Sequence, residues 1–152
     1  MRASSELSSR RLLLRQWQTA DREAFARLNG DPEVMAHFPA VLSRTESDTL
    51  ADRCQAELEE RGWGVWVIEQ RDSGKFIGIT GLNPVHGMPF GDRVEVLWRL
   101  LQPAWGQGFA TDAAQTALHY AFTVLDMDEI VAFATVGNRR SIAVMERLGM
   151  LD

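Results

Sequence analysis

Trp105-Gly106-Gln107-Gly108-Phe109-Ala110-Thr111-Asp112 follows an apolar run, Val94-Glu95-Val96-Leu97-Trp98-Arg99-Leu100-Leu101, and opens a helix-like run near Gly108. A strand, a glycine-containing turn and a helix start together make an anion site. Free N–H groups of the turn and of the first helical turn converge on one spot. Glycine lets a phosphate approach the backbone with no Cβ in the way. The stretch therefore predicts a grip on a phosphorylated ligand. The competing reading is a plain strand–turn–helix connection, and the two glycines alone do not decide. A Rossmann fingerprint fails because Thr111 stands where its third glycine belongs, and a Walker loop fails because no lysine follows either glycine.

On either side of this stretch the chain reads as one mixed α/β unit. Residues 1–9 are polar and expected to be loose. Arg11–Trp17 reads as a strand. Thr19 is the expected cap of a helix that runs to Leu28 and ends at Asn29-Gly30-Asp31-Pro32. Thr45–Arg61 is a second amphipathic helix stopped by Gly62. Trp63–Glu69 and Lys75–Leu82 are strands joined by Arg71-Asp72-Ser73-Gly74, a hairpin signal. Arg93–Leu101 is the fourth strand, Gly108–Leu125 a long helix with an alanine-rich face, and Glu129–Val136 a fifth strand. Asn138 caps a last helix that Gly149 terminates. The order is β-α-α-β-β-β-α-β-α. An antiparallel meander beside a crossover helix predicts a mixed sheet.

Bulk properties narrow the function. A chain of 152 residues fits a single domain, here 1–152. Its net charge of −5 and the lack of a basic stripe argue against a nucleic-acid partner. No apolar run reaches the length of a membrane span, and the N-terminus lacks an apolar signal core. The single cysteine, Cys54, cannot form an internal disulfide and sits on an apolar helical stripe with Leu50 and Leu58. A reducing, cytoplasmic setting is expected. No His/Cys/Asp/Glu set has metal-ligand spacing, so no metal is expected.

The segment Gly108-Phe109-Ala110 is similar to the phosphate-gripping Q/R-x-x-G-x-G/A signature of the GNAT superfamily of N-acetyltransferases. Asn138-Arg139-Arg140-Ser141-Ile142-Ala143-Val144-Met145-Glu146-Arg147-Leu148-Gly149-Met150 resembles that superfamily's last-helix motif. Arg11-Leu12-Leu13-Leu14-Arg15, Asp31-Pro32-Glu33-Val34-Met35, Ile77-Gly78-Ile79-Thr80-Gly81-Leu82 and Trp105–Thr111 resemble, in order, pieces of the RimJ/RimL-like subtype. The resemblance implies a GNAT-like three-layer fold and acetyl-CoA as cofactor, leaving as CoA. It implies transfer of the acetyl group to a primary amine, a protein N-terminus or a small molecule, by direct attack within a ternary complex. The resembled proteins continue past Gly149-Met150, so final strands are expected to be missing here. The open sheet edge this would leave invites pairing of two copies as a homodimer.

Residue by residue, the resemblance implies that Trp105, Gly106, Gln107, Gly108, Phe109, Ala110 and Thr111 hold the pyrophosphate. Backbone N–H groups at Leu97 and Trp98 would bind the thioester oxygen. Asn138 would hydrogen-bond the pantetheine arm. Ser141 would reach the thioester sulfur as an acid; its alternative is a first-turn serine beside a capping Asn138. Many members carry a tyrosine acid seven residues after that asparagine. Met145 stands there and cannot donate a proton.

The chemistry assigns weights to these parts. A lysine amine costs roughly 4–5 kcal/mol to deprotonate at pH 7, an α-amine only roughly 1 kcal/mol, and a thiol leaves with a pKa of about 8.5. A base matters more than an acid. Glu95, an acid in the middle of an apolar strand beside the cofactor loop, is the candidate base. Its alternative is a solvent-side glutamate paired with Arg93 or Arg99. His37 and Phe38 in the irregular 33–44 segment, with Trp66 and Glu95, are candidates for the acceptor pocket. His119 and His86 read as solvated. The missing tyrosine keeps open a second class of function, a CoA-binding module without catalysis.

Overall fold

A computed structural model describes residues 6–151. Two short strands, β1 (Leu7–Ser8) and β2 (Leu12–Arg15), precede two helices, α1 (Asp21–Gly30) and α2 (Arg44–Arg61). The meander β3 (Val65–Gln70), β4 (Lys75–Val85) and β5 (Arg93–Leu100) follows, then α3 (Phe109–Thr123) and α4 (Arg139–Arg147). The five strands pair antiparallel in the order β1-β2-β3-β4-β5. Leu7 lies opposite Leu14, so the segment expected to be loose is strand-paired from Leu7. Residues 1–5 lie outside the described residues.

The two helix layers occupy opposite faces. Trp66, Thr80 and Trp98 are cross-strand neighbours on β3, β4 and β5. The ring of Trp66 meets Tyr120 of α3 edge-on, with centroids 5.8 Å apart. That face is the α3 face. Its helix presents Ala113, Ala114, Ala117 and Ala121, all fully buried, and small side chains let a helix lie close to a sheet. Arg99, one residue past Trp98, points the other way and reaches Asn29 of α1. The α1–α2 layer therefore covers the face that carries Glu95, Leu97 and Arg99.

Two expected starts and one expected strand differ from the sequence reading. The first helix starts at Asp21, and Ala20 at its N-cap makes no side-chain cap bond. Asp21 reaches back instead: its carboxylate accepts from the Gln18 N–H at 2.7 Å and pairs with Arg15 at 2.8 Å. Thr19 is thus not the cap. The second helix starts one residue earlier than expected, inside a capping box in which the Ser43 hydroxyl accepts from the Glu46 N–H and the Glu46 carboxylate accepts from the Ser43 N–H. Gly62, at φ 82°, stops it as expected. Glu129–Val136 does not form a strand. It touches the sheet through one parallel bridge, Glu95 to Val131, and then leaves it. The mixed character of the sheet rests on that bridge.

Candidate active site

The departure of the chain after Val131 opens the edge of β5. The Val96 N–H donates to the Val131 carbonyl at 2.8 Å, so even-numbered amides of β5 point outward. Leu100, four residues on, has its outward carbonyl capped by Trp105 Nε1 at 3.0 Å. Between them, the backbone donor and acceptor of Trp98 face an edge unpaired among the described residues. The Leu97 N–H points inward to β4, and the Leu97 carbonyl accepts from Thr80 Oγ1 at 2.8 Å. Of the two amides expected to bind a thioester oxygen, only that of Trp98 is turned to the opening; Leu97 contributes its side chain.

A cavity of about 760 Å³ fills this opening, within the range of small-molecule sites. Its walls include Glu95, Leu97, Trp98 and Arg99 of β5, the turn residues Trp105, Gly106 and Gly108, and the start of α3 at Phe109, Ala110 and Thr111. Asn138, Arg139, Arg140, Ser141 and Arg147 close one side, and His37 and Phe38 another. Sequence candidates scattered over a hundred residues thus meet in one space. Gln107 and Trp66 do not line it. The exposed Gln107 side chain donates to the Pro103 carbonyl at 2.9 Å. Trp66 is fully buried against α3, because its strand parity puts it under the helix. It is a core residue, not a pocket wall.

The glycine turn leads directly into α3. Gly106 and Gly108 sit at φ 74° and 79°, a region that favours glycine. Gly108 occupies the N-cap of α3 with no side-chain cap, so the first-turn N–H groups stay available. The buried hydroxyl of Thr111 has no hydrogen-bond partner among the described residues. Arg11 pins the turn from outside: its Nη1 donates to the Gln107 carbonyl at 2.9 Å, its Nε pairs with Asp112 at 3.3 Å, and its guanidinium lies 4.4 Å from the Phe109 ring centroid. Arg140 stacks on Trp105 at 3.6 Å. Both arginines lie inside sequence motifs, but their partners are set by the fold. Free amides, glycines without Cβ, an orphaned hydroxyl and nearby cations fit a pyrophosphate.

Glu95 lies in the cavity wall. Asn83, its cross-strand partner, donates from Nδ2 to a Glu95 carboxylate oxygen at 3.3 Å. Burial pushes the Glu95 pKa up, and the Asn83 hydrogen bond offsets this in part. Arg93 pairs instead with Glu129, and Arg99 is turned to Asn29. No ion pair holds Glu95 among the described residues. His37 shares a hydrogen bond of 3.2 Å with Thr135 Oγ1 across the cavity mouth. Asn138 caps α4 by accepting from the Ser141 N–H at 3.2 Å through Oδ1, which leaves its Nδ2 donors for a ligand. Tyr120 packs on Trp66, away from the cavity. No described group of three or more His, Cys, Asp or Glu side chains could hold a metal ion.

Known proteins share this fold. The family model described as "Acetyltransferase (GNAT) domain" matches residues 11–151. The chain is 29% identical to YkkB of Bacillus subtilis over 99% of this chain and 87% of that protein. It is 31% identical to FsC-acetyl coenzyme A-N(2)-transacetylase of Aspergillus fumigatus, over 99% of this chain and 66% of that one. An acetyltransferase structure from Agrobacterium tumefaciens superposes with a TM-score of 0.84 at 27% identity, covering 98% of this chain and 85% of that chain. Solved structures of this fold also include ribosomal-protein acetyltransferases, one of them in complex with coenzyme A. The chain belongs to the GNAT family of acetyl-CoA-dependent N-acetyltransferases.

Proposed function

We propose that this protein acetylates a primary amine directly, in a ternary complex, with Glu95 as the general base. The observation that carries this is a half-buried carboxylate in the cavity wall, raised in pKa and held by no ion pair among the described residues. A carboxylate whose pKa burial has raised suits proton abstraction.

Acetyl-CoA supplies an activated acyl group. Gly106, Gly108, Phe109, Ala110 and Thr111 would hold its pyrophosphate through backbone amides and the Thr111 hydroxyl, with Trp105 shaping the turn. Asn138 Nδ2 would donate to the pantetheine arm. The outward N–H of Trp98 would polarise the thioester carbonyl, a donor fixed by the sheet before the reaction begins. Glu95 would take the proton of the incoming amine, directly or through one water. Ser141, in the first turn of α4, would donate toward the leaving sulfur. His37 and Phe38 would flank the entering amine.

Release of free thiol from acetyl-CoA, followed with DTNB over a panel of amines, tests the reading. Thiol release that depends on both the amine and Glu95 supports it. A second reading, a CoA-binding module without catalysis, is favoured by Met145 in the position of the usual tyrosine acid. Acetyl-CoA binding with no thiol release from any amine would establish that second reading.

A further inference from the structure

Arg99 is a half-buried cation in the cavity wall that the acetyl-transfer scheme does not use. Its Nη1 donates to Asn29 Oδ1, and Asn29 in turn donates from Nδ2 to Ser47 Oγ at 3.0 Å. Asn29 and Ser47 are both fully buried. This chain of three side chains, from β5 through α1 to α2, fixes the guanidinium in place. The ring of Phe38 covers it at 4.6 Å. Desolvation lowers its pKa to about 10, offset in part by Cys54, and no ion pair to a carboxylate holds it among the described residues.

The remaining edge of the guanidinium is unused. Nε is buried with no hydrogen-bond partner, and Nη2 has none among the described residues. Nε and Nη2 form the parallel two-donor fork that matches a carboxylate. A buried donor without a partner calls for an explanation, since leaving one unmade is costly. Arg99 also shares its strand face with Glu95, four residues or roughly 13 Å of strand away, on the side away from α3 and the phosphate turn. It therefore belongs to the acceptor end of the cavity.

Building on the acetyltransferase reading above, we propose that the acceptor amine carries a carboxylate, which the Arg99 guanidinium binds while the amine faces Glu95. The preferred acceptors are then amino acids or short peptides with a free carboxylate rather than simple amines or polyamines.

Matched pairs test this: amino acids of increasing chain length and dipeptides, each as the free acid and as the carboxamide. The expected preference in kcat/KM is about 10- to 100-fold for the acid, the size of a charge-assisted bond. Arg99→Met should bring that ratio toward one, and Arg99→Lys, which keeps charge without the fork, should leave an intermediate ratio. A ratio does not depend on how much of a variant is folded. Calorimetric binding of the same pairs to protein saturated with CoA reads the preference without turnover. Acetylation of amines with no preference for the acid, or a preference unchanged in Arg99→Met, overturns the proposal and leaves the acetyltransferase reading standing. Absence of thiol release with every amine overturns the latter, and the calorimetric comparison then decides on Arg99: tighter binding of the acids sustains it, equal or absent binding of both forms overturns it.

Discussion

Glu95 and Asn83 face each other across β5 and β4, and the 3.3 Å hydrogen bond between them is the one polar contact of the Glu95 carboxylate among the described residues. It makes the strand partner of the proposed base a control on its protonation. Glu95→Gln should lower kcat by about 10²–10⁴-fold, the usual contribution of general-base catalysis, while calorimetry shows acetyl-CoA affinity within about twofold of wild type. Undiminished turnover would remove Glu95 from the mechanism.

The pH dependence has a definite sign. Burial raises the pKa of Glu95 in the folded protein. As a base it must be ionised, so kcat/KM should rise with pH along a limb above the ordinary carboxylate range. Asn83→Ala removes the bond that favours the ionised form and should move that limb to higher pH. An acid limb in the same place in both proteins would contradict the pairing. The stability effect runs the opposite way. A carboxyl whose folded pKa lies above its unfolded value stabilises below the unfolded pKa and loses that contribution as pH rises through the folded one. At pH 7 Glu95→Gln should therefore melt no lower than wild type.

Gly108 carries the phosphate turn at φ 79°, and a Cβ there would lie 3.5 Å from the Arg11 guanidinium. Gly108→Val should cost about 1–2 kcal/mol in backbone strain alone and abolish the thermal shift given by acetyl-CoA. Arg11→Ala, which only releases the Gln107 carbonyl and Asp112, should weaken acetyl-CoA by about three- to tenfold. Calorimetry on both variants orders the effects, and equal losses would contradict it.

Arg15 is buried between Asp21 and Glu69, with contacts of 2.8 and 2.7 Å. Asp21 also bonds the Gln18 amide at the start of α1. Asp21→Ala leaves a buried guanidinium short of a partner and should cost about 3–5 kcal/mol in urea unfolding. A loss below about 1 kcal/mol would mean that Glu69 alone satisfies Arg15.

Cys54 is buried, and desolvation raises its pKa to about 11. DTNB should find no reactive thiol in the native protein and one in guanidinium. The thiol-release assay then has no background from the enzyme itself.

Local signals carried much of the fold. Gly62 and Gly149 end helices, the Arg71–Gly74 turn makes a hairpin, and Asn138 caps α4, because each depends on a few adjacent residues. The capping box at Ser43-Arg44-Thr45-Glu46 is equally local, and it starts the helix one residue before Thr45. Glu129–Val136 misled because its apolar residues satisfy a strand pattern, while pairing depends on β5, whose edge accepts it only at Val131. Trp66 and Trp98 look alike in sequence; parity and register turn both toward α3, and only the edge position of β5 brings Trp98 to the cavity. Arg99 was invisible as a site because its meaning lies in Asn29, Ser47 and Phe38, and in the carboxylate it lacks.

The open rung at Trp98 has one more consequence. An extended ligand with a donor and an acceptor at peptide spacing would act there as a temporary sixth strand. The free protein carries an edge able to accept a foreign chain, and a bound ligand of that kind would close it. Heat resistance and freedom from clumping would then rise together with ligand concentration, by about 2.7 kcal/mol at a hundred times the dissociation constant.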